Sequence, residues 1–191
     1  MRVFPFCSRR KSHMSVVSQY YENEVQQVFE RMLREAGPEI AAQPDFTTTY
    51  HVAGAEGGTY GLRVAQGALS VVPGGILDSD MQIFANVDEW RAGLDVGMAH
   101  PFYYYQKRKI DLLKGFRGKV TLELAQPDGE PMQGSLVFGG ADDPEVTLRM
   151  AADDYLAMMS GRLNGQMAFL TGKLKFEGSL PLLMQLAALN S

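Results

Sequence analysis

The chain has 191 residues, of which 46% are apolar, 10% aromatic and 21% charged, close to the averages of a soluble globular protein and enough to bury a core without staples. Its single cysteine, Cys7, excludes an internal disulfide and a thiolate-rich zinc site. A formal charge of -4, from 18 basic and 22 acidic residues, argues against a nucleic-acid protein that works by neutralising phosphates. Twenty glycines and 11 methionines stand out.

Residues 1–13 hold Arg2, Arg9, Arg10 and Lys11 and no acid, which leaves 14 basic against 22 acidic residues beyond them. Residues 1–14 therefore read as a disordered basic leader. It has Val3, Phe4 and Phe6 but lacks the apolar run of a secretory signal; a fragment of an organellar address and a translation start at Met14 are the alternatives. No run of about 18 apolar residues occurs, so a soluble, cytoplasmic protein is expected.

Tyr21, Val25, Val28, Phe29, Met32, Leu33 and Ala36 recur at the spacing of one helical face. Gly37 and Pro38 stop that helix. From Thr47 the pattern turns to β-branched and aromatic residues through Val52, and further strands are predicted at 60–65, 68–72 and 81–85. The short intervals predict antiparallel hairpins, with Gln66-Gly67 as a tight turn.

An internal repeat is read by laying this region over the C-terminal half. Leu62 to Gln66 sets against Leu122 to Gln126, Asp88-Glu89-Trp90 against Asp153-Asp154-Tyr155, Gly97 against Gly161, Tyr105 against Phe169, and Lys109-Ile110 against Lys173-Leu174. In each copy a strand leads to an aspartate able to cap a helix, a glycine ends that helix, and a second short helix and a strand follow, at 107–113 and 173–176. The expected organisation is a first unit over 15–117 and a second over 118–191, packed as one body.

The second copy contains Val146-Thr147-Leu148-Arg149-Met150, then Asp153-Asp154-Tyr155-Leu156-Ala157-Met158-Met159-Ser160-Gly161, and then Ala168-Phe169-Leu170-Thr171-Gly172-Lys173-Leu174-Lys175-Phe176-Glu177-Gly178. This stretch resembles the sterol carrier protein type-2 (sterol-binding) domain over roughly residues 119–190, and residues 19–115 look like a divergent copy of it. The resemblance implies an α+β fold, a twisted and mainly antiparallel sheet with helices on one face enclosing an apolar tunnel for lipid. The chain's final Leu189-Asn190-Ser191 departs from the small-basic-leucine peroxisomal address of many members.

The expected ligand-binding residues are Leu156, Met159, Met167, Phe169 and Leu170 on two short helices, Leu183 and Leu186 in the apolar closing segment, and Trp90, Phe102 and Tyr105 in the first copy. Plain core is the competing reading for each. The segment 180–189 is apolar nearly all round, and a helix apolar on all sides must be buried, dock to a partner or close a cavity. Tyr105 sits at the repeat position of Phe169, where its hydroxyl is expected to anchor a lipid's polar group. Lys107, Arg108, Lys109, Lys114, Arg117 and Lys119 form a basic run, read either as a solvated face or as transient steering to an anionic membrane.

No motif for catalysis, a metal or a cofactor is found. His13, His51 and His100 have no metalloprotease spacing, and neither a nucleophile elbow nor a phosphate-binding glycine loop occurs. His100 beside Pro101 is kept as the one proton-transfer candidate. The leading expectation is a non-catalytic carrier of a sterol, fatty acyl chain or isoprenoid. The alternatives are an accessory module that presents a lipophilic intermediate to partner enzymes, with a partner or a dimer docking through the C-terminal helix, and an enzyme on a hydrophobic substrate.

Overall fold

The computed structural model describes residues 14–94, 97–98 and 100–190; the basic leader, Cys7 and His13 lie outside the described residues. The first helical stretch starts at Ser15, whose hydroxyl accepts from the Ser18 N–H, and runs as α1 (Val16–Gln19), a π-turn (Tyr20–Glu24) and α2 (Val25–Ala36). The wider π-turn brings the consecutive Tyr20 and Tyr21 both into the core. Gly37, at φ 86°, closes α2 where the sequence places the stop.

Eight strands follow in one sheet: β1 (Phe46–Ala53), β2 (Gly58–Ala65), β3 (Ala68–Pro73), β4 (Met81–Asn86), β5 (Gly118–Ala125), β6 (Met132–Phe138), β7 (Glu145–Ala151) and β8 (Lys175–Gly178). Their order is β3-β2-β1-β4-β6-β5-β7-β8. The expected α+β class holds, with a mainly antiparallel sheet whose β1–β4 and β5–β7 contacts are parallel. The pairing of β4 corrects the expectation of hairpins alone, because the chain crosses over and returns beside β1. Gln66 and Gly67, both at positive φ, form the predicted β2–β3 turn.

The helices are α3 (Val87–Gly93), α4 (Tyr103–Gln106), α5 (Ile110–Lys114), α6 (Ala152–Met159), α7 (Gly165–Leu170) and α8 (Leu180–Asn190). Residues 107–113, expected as a strand, fall mostly in α5 because Ile110 and Leu113, three apart, are buried together. The helix caps differ too: Asn86, not Asp88, caps α3, and Ala151 precedes α6 with no side-chain cap. Strand β6 lies where no element is predicted, since Gln133, Gly134 and Ser135 interrupt the apolar alternation.

Each half contains a hairpin followed by a strand that returns parallel to its first member and feeds a helix: β1–β2–β4–α3 and β5–β6–β7–α6. The match of residues 62–66 with 122–126 sets β2 on β5, which differ in place, since β2 has two antiparallel neighbours and β5 one parallel neighbour. The match of Asp88-Glu89-Trp90 with Asp153-Asp154-Tyr155 sets the first turn of α3 on that of α6.

One face of the sheet carries the core, through residues such as Tyr50, Ile83, Leu136, Val120 and Val146. The other face is polar, as antiparallel sheets with one solvated side require. There Lys119 pairs with Glu145, and Arg149 with Glu123 and Glu177, across neighbouring strands. Around the π-turn, Tyr20, Tyr21, Tyr50, Tyr60 and Trp90 form a ring cluster in which Trp90 Nε1–H donates to the Tyr21 hydroxyl at 3.0 Å.

Removing the Tyr21 hydroxyl orphans a buried indole N–H, so Tyr21→Phe is expected to cost about 1–3 kcal/mol in urea unfolding, with a smaller cost in a Trp90→Phe background. Burial also pushes the phenols of Tyr21, Tyr50 and Tyr104 well above their ordinary 10.0. The folded chain therefore keeps protons that the unfolded chain loses, so these groups' contribution to stability is full below about pH 10 and declines above it. Alkaline titration should show their phenolate absorbance appearing together with unfolding.

Candidate functional site

The junction between the two halves of the sheet is β4 against β6, and it is short. Pairing runs from Met81 opposite Phe138 to Phe84 opposite Ser135 and stops, while β4 stays on β1 as far as Asn86 and β6 stays on β5 as far as Met132. The two central strands therefore part below Phe84 and Ser135. Extending the register would set Asn86 opposite Gln133. Instead, the Asn86 N–H donates to Glu89 Oε2 and the Gln133 N–H donates to Glu89 Oε1, each at 2.8 Å. The carboxylate, carried on the first turn of α3, takes the place of a main-chain rung.

On the helix side of this parting lies a slot of about 140 Å³. Small residues create it: Ala85 on β4, Ala92 and Gly93 on α3, Gly134 on β6 and Ala152 on α6. Its floor is Ile83, Leu122, Leu124 and Leu136, and Met132, Tyr155 and Leu156 form its sides. Gly134 decides its shape, because a Cβ built there meets only the Phe84 carbonyl oxygen, at 3.5 Å, and its φ is not in the left-handed region. The space above it is open for want of a side chain.

Tyr155 fixes the far wall. Its hydroxyl accepts the Met98 N–H at 3.0 Å, tying the loop after α3 to α6, and burial pushes its phenol up. Gly97 permits this approach, since at φ 99° it adopts a conformation that disfavours side chains, and a Cβ there would collide with the ring.

On the opposite, polar face is a wider open cleft of about 590 Å³, lined by His51, Thr59, Phe84, Lys119, Thr121 and Ser135 among others. It shares Phe84, Ala85, Glu89, Gln133, Gly134 and Ser135 with the slot.

Of the ten residues expected to bind ligand, Leu156 lines the slot. Trp90, Phe102, Tyr105, Met159 and Leu186 are buried core, and Trp90 is held by Tyr21. Leu183 is partly buried against the core. Met167, Phe169 and Leu170 are 52%, 50% and 75% exposed; α7 is so short that Ala168 alone among its residues is buried. The closing helix α8 buries Leu182, Leu186 and Leu189 on one face and leaves Leu180 and Met184 outside.

Tyr103, Tyr104 and Tyr105 are all buried on the single turn of α4, and Gln106 is its exposed residue. The Tyr104 and Tyr105 hydroxyls have no hydrogen-bond partner among the described residues. His100 Nδ1 accepts the Phe102 N–H and shapes the turn before α4. Much of the basic run is engaged within the fold: Arg108 with Glu39, Lys114 with the Asp45 carbonyl, Arg117 with the Lys114 and Phe116 carbonyls, and Lys119 with Glu145. Among the described residues no acidic, histidine or cysteine cluster is arranged to hold a metal, and no helix is long and apolar enough to cross a membrane.

Glu89, Gly134 and His51 are not among the site residues expected from the sequence. Asn86 with Glu89 three residues on is a legible capping-box signal, whereas the bond from Glu89 to Gln133 spans 44 residues and the small residues of the slot come from four separate elements.

Residues 106–191 match the SCP-2 sterol transfer family. The chain is 32% identical over 87 residues to hydroxysteroid dehydrogenase-like protein 2 of Bos taurus, covering 41% of this chain and 21% of that protein. It is 40% identical over 58 residues to sterol carrier protein 2 of Homo sapiens, covering 30% of this chain and 11% of that protein. The chain thus spans about a fifth or less of the length of these curated relatives. Among solved structures, the sterol carrier protein domain 2 of Helicoverpa armigera is similar at a TM-score of 0.36 and 25% identity, over 50% of this chain and 91% of that chain.

The Glu89 rung has a direct test in amide exchange. Glu89→Ala should raise the exchange rates of the Asn86 and Gln133 amides at least tenfold while leaving β1–β2 amides unchanged, and Glu89→Gln, with one acceptor oxygen, should expose one of the two amides more than the other.

Proposed function

We propose, from the match of residues 106–191 to the SCP-2 sterol transfer family, that the protein binds a lipid non-catalytically, with an apolar part of the ligand in the slot between α3, α6 and the sheet. The observation that carries this reading is the slot itself, an apolar recess bordered by small residues beside the core. A ligand held there gains about 0.8 kcal/mol for each methylene buried, so affinity rises with chain length and little of it depends on direction. Broad selectivity among sterol, fatty acyl and isoprenoid lipids follows.

The name of one relative denotes a dehydrogenase-like protein, yet the aligned part is 21% of it, and the described residues that line the slot bring together no acid, base and nucleophile. Glu89 is committed to two backbone N–H groups, Tyr155 to Met98, and His100 to Phe102. The second reading, an accessory module that hands a lipophilic intermediate to partner enzymes, is favoured by the exposed Leu180 and Met184 of α8 and Leu170 of α7, which offer apolar surface outside the slot.

Decanoate and 1-decanol, titrated into isotope-labelled protein, are expected to shift the amides of Ala85, Ala92 and Gly134 saturably, and native mass spectrometry should find lipid on protein from its native source. Gly134→Leu fills the slot from an unstrained backbone position and should weaken both probes at least tenfold without loss of fold. No saturable shift with either probe, or equal binding by Gly134→Leu, overturns the reading.

A further inference from the structure

The closing helix α8 (Leu180–Asn190) carries no charged residue. Its inner face buries Leu182, Leu186 and Leu189. Outside, Leu180 and Met184, one turn apart, are 54% and 63% exposed, and Ala187 and Ala188 continue the exposed face one turn further on. Among residues 180–189 Gln185 is the one polar side chain, and it is exposed. A helix lying on a core normally turns charged and polar residues to water. This one turns carbon outward along most of its length, which suits an apolar medium.

The neighbours of α8 decide which medium fits. Lys109 Nζ donates to the Ala188 carbonyl at 3.4 Å, which lodges the basic segment after α4 against the C-terminal end of α8, where the helix dipole favours a cation. Three residues on, and so on the same side of α5, Leu112 is 55% exposed. Lys107 is exposed too, with its ammonium over the Tyr103 ring, whereas Arg108 is paired with Glu39. Asp111 is the one acid between residues 106 and 119. Glu145, on the strand against which α8 packs, is engaged by Lys119 on the opposite face of the sheet. An uncharged apolar strip with bases at its end is complementary to a surface that is apolar inside and negative at its rim, as a bilayer of anionic lipid is.

We propose that the outer face of α8, with Leu112, Lys107 and Lys109 at its C-terminal end, is the surface by which the protein seats on an anionic lipid bilayer. Leu180 and Met184 enter the acyl boundary while the two lysines stay at the phosphates, their stems lying along apolar surface. At about 1.5 Å per residue the helix is about 16 Å long, so it lies along the interface and does not cross it. Beyond residues 1–13 the chain has 14 basic and 22 acidic residues, so its remaining surface is repelled by anionic lipid and the basic end of α8 orients the approach. This goes beyond the reading of the slot and does not depend on it.

The test is flotation of the full chain with phosphatidylcholine vesicles, with and without about 30% phosphatidylglycerol, and the anionic vesicles should bind about fivefold more tightly or better. Met184→Asp sets a charge in the apolar strip at an exposed position and should weaken that binding about fivefold or more. Lys107→Gln combined with Lys109→Gln should reduce the preference for anionic vesicles about fivefold. Every variant keeps Arg2, Arg9, Arg10 and Lys11, so their attraction to the lipid is common to all. Spin-labelled lipid should broaden the amide signals of Leu112, Met184 and Ala187. Gly134→Leu should bind vesicles like the unaltered chain, so the slot and this face are overturned separately. Unchanged vesicle binding in Met184→Asp or in the double lysine variant, or broadening confined to residues 1–13, overturns the proposal. So does a concentration-dependent dimer that Met184→Asp dissociates, found without vesicle binding, which assigns the face to a second copy of the chain.

Discussion

A carboxylate standing in for a main-chain rung organises the centre of this protein. Glu89 accepts from Asn86 on β4 and from Gln133 on β6, where the ladder would otherwise bring those two residues together. Had β4 and β6 remained paired to their ends, Ala85 and Gly134 would lie in a closed sheet, and the slot and the cleft would have no common border. A carboxylate with two N–H donors makes charge-assisted bonds, so the Asn86 and Gln133 N–H groups at the parting both keep a partner. The same side chain completes the capping box of α3 with Asn86, which ties the start of that helix to the position of β6. One side chain thus couples helix initiation to the geometry between the halves of the sheet.

The slot depends on this constraint and on subtraction. Interiors pack at crystal-like density, and a recess survives only where side chains are missing. Here Ala85, Ala92, Gly93, Gly134 and Ala152 surround the space, while the larger Tyr155 and Leu156 stop α6 from collapsing into it. Tyr155 is braced by the Met98 N–H, so its ring is held in place as a wall. The aromatic cluster of Tyr20, Tyr21, Tyr50, Tyr60 and Trp90 does the opposite: its large rings are buried in the core and anchor the first helical stretch through a buried hydrogen bond. Trp90, Phe102 and Tyr105, attractive as ligand contacts, are buried in that core.

The elements whose information is local could be read from the sequence. The 3.6-residue period of α2 and its Gly37 stop, the β-branched run of β1 and the Gln66-Gly67 turn each depend on neighbours within a few residues. The resemblance to the SCP-2 family was legible in the residues of the stretch from Val146 to Gly178, within the segment that matches it. What depends on distant neighbours was not legible. Met167, Phe169 and Leu170 are apolar in a helical segment, yet α7 sits near the β8 edge and leaves them outside; whether an apolar side chain faces core, ligand or solvent is decided by what lies over it. Strand β6 failed to register because Gly134 breaks its alternation, and Gly134 is the residue that opens the slot. The local rule is violated at the place where the candidate site is built.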